Sequence, residues 1–182
     1  KGLSPGQALL VQVSGHAEPG KAVPVTAKIL FKSRFAIVTP GAPGLNIARG
    51  IRDEEERVRL RALAAGSVPE GMGLILRSAA EGAADKEISK DIAAMADLAL
   101  AVTGDAAGGP EALTEGDGPH LLAWRDWPEP DRVITQPGGF DREGVLEALV
   151  ALRRPEVALG PHEMVVEETR ALVAVDVNTR GD

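Results

Sequence analysis

Apolar and polar positions change their period several times along this chain. Residues 7–13 are apolar with alternation at their start, and residues 23–31 follow after a Gly/Pro-rich loop. That pair predicts a β-hairpin. Residues 34–39 predict another strand, closed by the loop Pro40-Gly-Ala-Pro-Gly44. Asp53 can cap a helix running to about residue 65, with Gly66 as its stop. Residues 68–72 form a connection, and residues 73–77 predict a short buried strand ending at a charge. The clearest helix starts at Asp85, where Ile88, Ile92, Met95 and Val102 recur on one face and Met95 fills core. Residues 103–119 are rich in Gly, Asp and Ala and predict a linker or loop. Residues 121–124 and 132–135 predict two short strands around a Pro-rich turn. Asp141 then caps a helix with Val145, Leu146, Leu149 and Leu152 on its apolar side. Residues 164–167 and 171–177 predict a last pair of strands. This order, strands, then helix, strand and helix, then strands again, predicts an α+β fold of segregated small modules rather than a doubly wound sheet. There is no internal repeat.

The last predicted strand carries the first candidate chemistry. Its apolar run stops at Asp176 and Asn178. Positions two apart share one face of a strand, so both side chains point the same way. A carboxylate and an amide oxygen on one face suit a hard cation such as magnesium. Asp and Asn are also common turn residues, and on the local pattern alone a strand whose polar end makes a turn is the commoner arrangement.

Composition narrows the class. The chain is 44% hydrophobic but only 3% aromatic, with no Tyr, so its core is built from Ala, Val, Leu and Ile. Cys is absent, which excludes disulfides and thiolate metal sites and fits a reducing cytoplasm. No apolar run approaches the ~20 residues a membrane helix needs. The chain opens on Lys1 rather than Met and carries no charged-then-apolar leader, so neither a signal peptide nor a natural start is expected. A net charge of −7 argues against a general nucleic-acid coat protein. The charge is uneven, however. Lys1, Lys21, Lys28, Lys32, Arg34 and Arg49 stand against Glu18 alone in the first 50 residues, giving +5 there and −12 on the rest. A basic N-terminal third permits a local anion or RNA surface, although a solvated strand surface has the same composition.

Three stretches, in order, resemble one family. Residues 1–40 look like the end of an S1 domain running into a 5′-sensor. Gly71-Met-Gly-Leu-Ile-Leu-Arg-Ser-Ala-Ala80 looks like a Gly-x-Gly-(apolar)-(apolar)-Arg-Thr-Ala segment. Gly160-Pro-His-Glu-Met-Val-Val-Glu-Glu-Thr-Arg-Ala-Leu-Val-Ala-Val-Asp-Val-Asn178 looks like a strand, a Thr-Glu-Ala-Leu type turn, and a strand ending in Asp-x-Asn. Together they resemble the ribonuclease E/G family, with the weakest match over residues 103–130. The resemblance implies four parts: residues 1–30 as the end of an S1/OB-like domain, 31–104 as a 5′-sensor-like domain, 105–158 as an RNase H-like part, and 159–182 as the start of a DNase I-like catalytic part.

The resemblance also implies roles. A 5′-monophosphate of RNA would be held by Arg77 and Ser78, by Arg49, and by backbone at Ser33 and Ile37, which stand at the positions of a Gly-x-x-x-Val stretch. Ser33 departs from the Gly, which puts close backbone approach there in question. A guanidinium forks onto phosphate oxygens and a hydroxyl donates beside it. Arg77 also reads as a strand-end cation paired with a surface carboxylate. Asp176 would ligate Mg2+, Asn178 would position the attacked phosphate, and the metal would activate water. A second Asp of the site, and the family's Cys-Pro-x-Cys zinc link, would lie past residue 182, so this portion alone is expected to be inactive. Arg170 stands where the family usually has Glu, and as a cation near the site it could contact RNA. Implied too are cleavage of single-stranded RNA rather than DNA, a cytoplasmic location, and homo-oligomers of the full-length protein.

Other features carry less. His16, His120 and His162 show no ligand spacing. Gln136-Pro-Gly-Gly-Phe140 precedes a helix and could cradle phosphate, but lacks Lys-Ser/Thr and reads as a turn. Trp124 and Trp127 could stack a base, although Pro128 and the alternation favour packing. Two further functions compete with the endoribonuclease: a non-catalytic module binding RNA 5′ ends, and an α+β domain binding a phosphorylated metabolite in a closed pocket around Arg77.

Overall fold

The computed structural model describes residues 2–106 and 109–179. Lys1, Ala107, Gly108 and residues 180–182, which belong to the expected first, third and fourth parts, lie outside the described residues. The chain divides into two compact units, with the boundary between Glu129 and Pro130.

The first unit begins with a hairpin of β1 (Gln12–Val13) and β2 (Val25–Thr26), paired Gln12↔Thr26 and Val13↔Val25. It is far shorter than the alternation predicts. Val11, Val13, Val23 and Val25 stay exposed, and a two-stranded ribbon with no packing partner gains little from further pairing. The Gln12 side chain extends the contact by bonding both the carbonyl and the N–H of Leu30.

Phe31 leaves the hairpin for a second sheet. There β3 (Phe31–Lys32), β4 (Ala36–Pro40), β5 (Gly44–Ile47) and β6 (Met72–Leu76) lie in the order β3-β4-β6-β5. The β5–β6 pair is parallel and the others antiparallel. On β4, Ala36 and Val38 are buried while Ile37 turns to the other face with its partners Lys32 and Ile75. The loop predicted over residues 40–44 is shorter than expected, since β4 includes Pro40 and the unpredicted β5 starts at Gly44. The chain turns back through the Pro/Gly loop and joins β6 at Gly44. Gly73 is required there, because a Cβ would collide with the Ala42 carbonyl oxygen.

Helix α1 (Glu54–Ala64) starts where its cap predicts. Asp53 accepts from the N–H groups of Glu55 at 2.8 Å and Glu56 at 3.2 Å, and Gly66 takes φ +71° just past the end. Helix α2 (Asp85–Asp105) buries Ile88, Ile92, Ala96, Ala99 and Val102, while Met95 packs at the edge. These helices and β3, β4 and β6 share one core of Phe31, Val38, Ile51, Leu60, Leu74, Leu76, Ile88 and Ile92. Each large side chain buried there contributes roughly 1.5–3 kcal/mol.

Residues 119–126 form helix α3 (Pro119–Asp126), not a strand, with Pro119 at its first turn where a proline is well placed. Residues 132–135 form no strand either.

The second unit holds α4 (Gly139–Arg142), α5 (Val145–Ala151) and an antiparallel sheet of β7 (Glu156–Leu159), β8 (His162–Glu168) and β9 (Val173–Asn178) in that order. Asp141 lies inside α4 and caps nothing; Gly144 precedes α5 in its place. Residues 136–140 are a turn followed by the first residues of α4. No described residue of the second unit is buried, so the apolar run of β9 does not make it a buried strand. Across both units the architecture is α+β with separate modules. No helix among the described residues is long and apolar enough to cross a membrane.

Candidate functional site

Arg77 follows the last residue of β6. Its N–H donates to the Phe35 carbonyl at 2.8 Å, which carries the sheet ladder one residue further. Three hydrogen bonds hold its guanidinium. Nη1 donates to the carbonyls of Ser33 and Arg125, and Nη2 reaches Asp126 Oδ1 at 2.7 Å. Asp126 also takes Lys32 Nζ at 2.6 Å and Arg125 Nη2 at 3.1 Å. Beside it, Arg34 Nη1 donates to the Trp124 carbonyl at 2.6 Å. Lys32, then Arg125 and Arg77, hold the Asp126 carboxyl well below the usual carboxylate range.

Ser33 answers the question its side chain raises. It is buried, and its Oγ donates to Asp91 Oδ2 at 2.6 Å. The same carboxylate oxygen accepts the Phe35 N–H at 2.8 Å. The hydroxyl therefore points into the protein, and the carbonyl is left facing Arg77. Ile37 lies on the sheet face away from the core, opposite Lys32.

Arg49 and Ser78 are placed differently. Ile47 and Leu76 pair in parallel register, and the Ala48 N–H donates to the Leu76 carbonyl at 2.8 Å. Arg49 and Arg77 therefore leave the same end of neighbouring strands. Arg49 sits exposed in the turn after β5, and no hydrogen bond or ion pair joins it to Arg77. Ser78 opens a single 3-10 turn over Ser78–Ala80, exposed beside Arg77. The structure thus gathers Lys32, Ser33 and Arg77 with Asp126, and leaves Arg49 and Ser78 at the rim. Asp91 and Asp126 are the residues that sequence reasoning missed, and Lys32 and Arg34 entered it only as part of a basic N-terminal third. The Lys32-Ser33-Arg34 run was the available signal, while Asp126 was hidden by reading its helix as a strand.

Asp176 and Asn178 share the other face of β9 from Val173, Val175 and Val177. Asn178 Nδ2 donates to Asp176 Oδ2 at 3.2 Å, and both residues are exposed. Their cross-strand partners are Val165 and Glu163. Among the described residues no group of three or more His, Cys, Asp or Glu side chains could hold a metal ion. Arg170 does not lie near this pair. It sits in the turn closed by the Thr169 N–H to the Leu172 carbonyl, at the opposite end of β9 from Asn178. Trp124 and Trp127 are 41% and 69% exposed, against the packing that Pro128 and the alternation favour. Trp124 Nε1 donates to His120 Nε2 at 3.0 Å.

The sheet, helix and cation cluster of the first unit coincide with a known family. Residues 31–135 match the Ribonuclease E/G family. Ribonuclease E of Nostoc sp. (strain PCC 7120) is 40% identical over 90 residues, 50% of this chain and 13% of that protein. Ribonuclease E of Synechocystis sp. (strain PCC 6803) is 41% identical over 90 residues, again 50% of this chain and 13% of that protein. Ribonuclease G of Escherichia coli (strain K12) is 36% identical over 88 residues, 48% of this chain and 18% of that protein. The matched stretch spans less than a fifth of each of these relatives. The family match runs from β3 through the whole helix-covered sheet and α3, well over half of the chain, and on that ground this chain belongs to the ribonuclease E/G family.

Proposed function

We propose that this chain is part of an endoribonuclease that cleaves single-stranded RNA with magnesium and binds a 5′-monophosphate end through Arg77. One observation supports the phosphate reading above others: within the family-matching stretch, Arg77 and Lys32 converge on a single small anion, the Asp126 carboxylate. A forked guanidinium beside an ammonium is the donor set a phosphate monoester takes. Ser78, next in sequence to Arg77, and Arg49, at the same end of the neighbouring parallel strand, are the further donors this reading would use.

For the metal, Asp176 offers a hard anionic oxygen and Asn178 an amide oxygen beside it. The donor types fit magnesium, but two side chains fill only part of its octahedral sphere. Bound magnesium would neutralise charge on the attacked phosphoryl group. The role left to this chain's own residues is positional: Asp176 to hold the ion, Asn178 to orient the phosphate.

The test has two arms. A 5′-monophosphorylated single-stranded oligoribonucleotide should bind more tightly than its 5′-hydroxyl counterpart, by about 1.5–3 kcal/mol, the worth of a hydrogen bond to a charged group. Arg77→Ala should remove that difference. Equal binding of both ends by the native chain would defeat the sensor reading. In the second arm, incubation with RNA and magnesium should give no appreciable cleavage by the chain alone. Robust cleavage abolished by Asp176→Asn would show that no further carboxylate is needed.

A further inference from the structure

The C-terminal end of α3 attracts more positive charge than a short surface helix requires. Lys32 and Arg77 reach the Asp126 carboxylate, Arg77 also reaches the Arg125 carbonyl, and Arg34 reaches the Trp124 carbonyl. Helix C-termini carry partial negative charge on their unpaired carbonyls. Asp126 and these carbonyls therefore form one compact anionic group. Its cationic counterpart is built on the sheet: Lys32 on β3, Arg34 in the following turn, and Arg77 at the end of β6.

Nothing else holds α3 down strongly. None of its residues is buried, and Leu121, Leu122 and Trp124 remain exposed. The helix is attached by ion pairs and polar hydrogen bonds rather than by apolar burial. Ion pairs that solvent still reaches weaken with salt. Gly116 and Gly118 precede α3 and give the backbone on that side conformational freedom.

We propose that α3 is an internal plug. Asp126 and the neighbouring carbonyls occupy an anion subsite formed by Lys32, Arg34 and Arg77, and a terminal phosphate monoester displaces them. This rests on the phosphate reading of Arg77 given above. A phosphate monoester carries up to two negative charges and three acceptor oxygens, so it satisfies the same three cations better than one carboxylate does. Lys32 and Arg34 are thereby ligands of the incoming phosphate, and Asp126 is its competitor.

The chain carries its own reporter. Trp124 and Trp127 are its two tryptophans, and both lie at this end of α3. Their fluorescence should shift when sodium sulfate is added, and not with sodium chloride at equal ionic strength. Asp126→Asn should reach the same end point at a sulfate concentration on the order of tenfold lower, the equivalent of one charge-assisted hydrogen bond. Arg77→Ala should lose the response. A native chain that responds identically to both salts overturns the plug, whatever the variant does. So does an Asp126→Asn chain that binds sulfate as weakly as the native chain or more weakly, since Asp126 would then position Arg77 rather than compete for it. Repeating the titration with 5′-monophosphorylated and 5′-hydroxyl RNA separates the two readings. A sulfate gain in Asp126→Asn without any preference between RNA ends sinks the RNA-end reading and keeps the plug. An Arg77-dependent preference that Asp126→Asn leaves unchanged keeps the RNA-end reading and sinks the plug.

Discussion

Ser33 shows how a single side chain can leave a site open by turning away from it. Where the family pattern has Gly, a hydroxymethyl group would seem to obstruct the backbone. Here Asp91 on α2 draws it inward and takes the Phe35 N–H as well, so one carboxylate oxygen ties the β3–β4 turn to the helix. The Ser33 carbonyl then meets Arg77. Asp91→Ala removes an acceptor from two donors at once and leaves the buried Ser33 hydroxyl dependent on Ala36 alone. It should cost about 2 kcal/mol of stability in denaturant unfolding. Asp91→Asn, which keeps an acceptor oxygen, should recover part of that. A loss within experimental error for the Ala variant would show that the turn does not need this tie. Arg77 was legible in the sequence because a strand ending at a cation is a local pattern. Asp91 and Asp126 were not, because their partners lie 58 and 49 residues away and no local spacing announces such a pair.

At the scale of elements, legibility followed the strength of local signals. Helix α1 has its Asp53 cap, acids in its first turn and Gly66 behind it, and α2 has an apolar stripe long enough to define a period. Helix α3 had neither. Its apolar run of Leu121, Leu122, Ala123 and Trp124 is four residues long, where strand and helix cannot be told apart by periodicity. Strand β5 was hidden because it begins at a glycine of the Pro/Gly loop and pairs with β6, which lies more than 20 residues on. The joint between α1 and the segment before α2 is a matter of charge. Glu56 accepts from Arg59 and from the Gly82 N–H at 2.9 Å, and Arg59 also pairs with Asp85. The Arg59 hydrogen bond, then the Gly82 N–H, lowers the Glu56 carboxyl to about 2. Because the folded value lies below the unfolded one, the contribution is present above pH ~4.5 and is lost as pH falls towards 2. The melting temperature should therefore drop across that window, and Glu56→Gln should flatten the drop relative to the native chain. Parallel curves for the two proteins would show that this carboxylate is not coupled to folding.

The two halves of the whole molecule differ in what holds them. The buried hydrophobic residues all belong to the first unit, where two helices cover one face of the four-stranded sheet. The second unit has a regular ladder but, among its described residues, no buried one. On β9, Val173, Val175 and Val177 share one face and are 59%, 59% and 55% exposed, with Met164 and Val166 opposite them on β8. A three-stranded sheet with an uncovered apolar face has hydrogen bonds but little hydrophobic stabilisation to keep them closed. Amides of β7, β8 and β9 should therefore exchange with solvent much faster than those of β4 and β6, at a free energy of opening below that of global unfolding. Hydrogen exchange read residue by residue checks this, and equal protection of both sheets would refute it. The difference bears on chemistry. The cation cluster around Arg77 stands on the unit that has the buried core. Asp176 and Asn178 stand on a sheet without a core of its own, and a metal site needs supporting contacts that hold its ligands in place. Magnesium chloride titrated into this chain should accordingly raise its melting temperature no more than sodium chloride at equal ionic strength, since a ligand stabilises only as strongly as the folded state binds it; a magnesium-specific rise would show that the site is already formed.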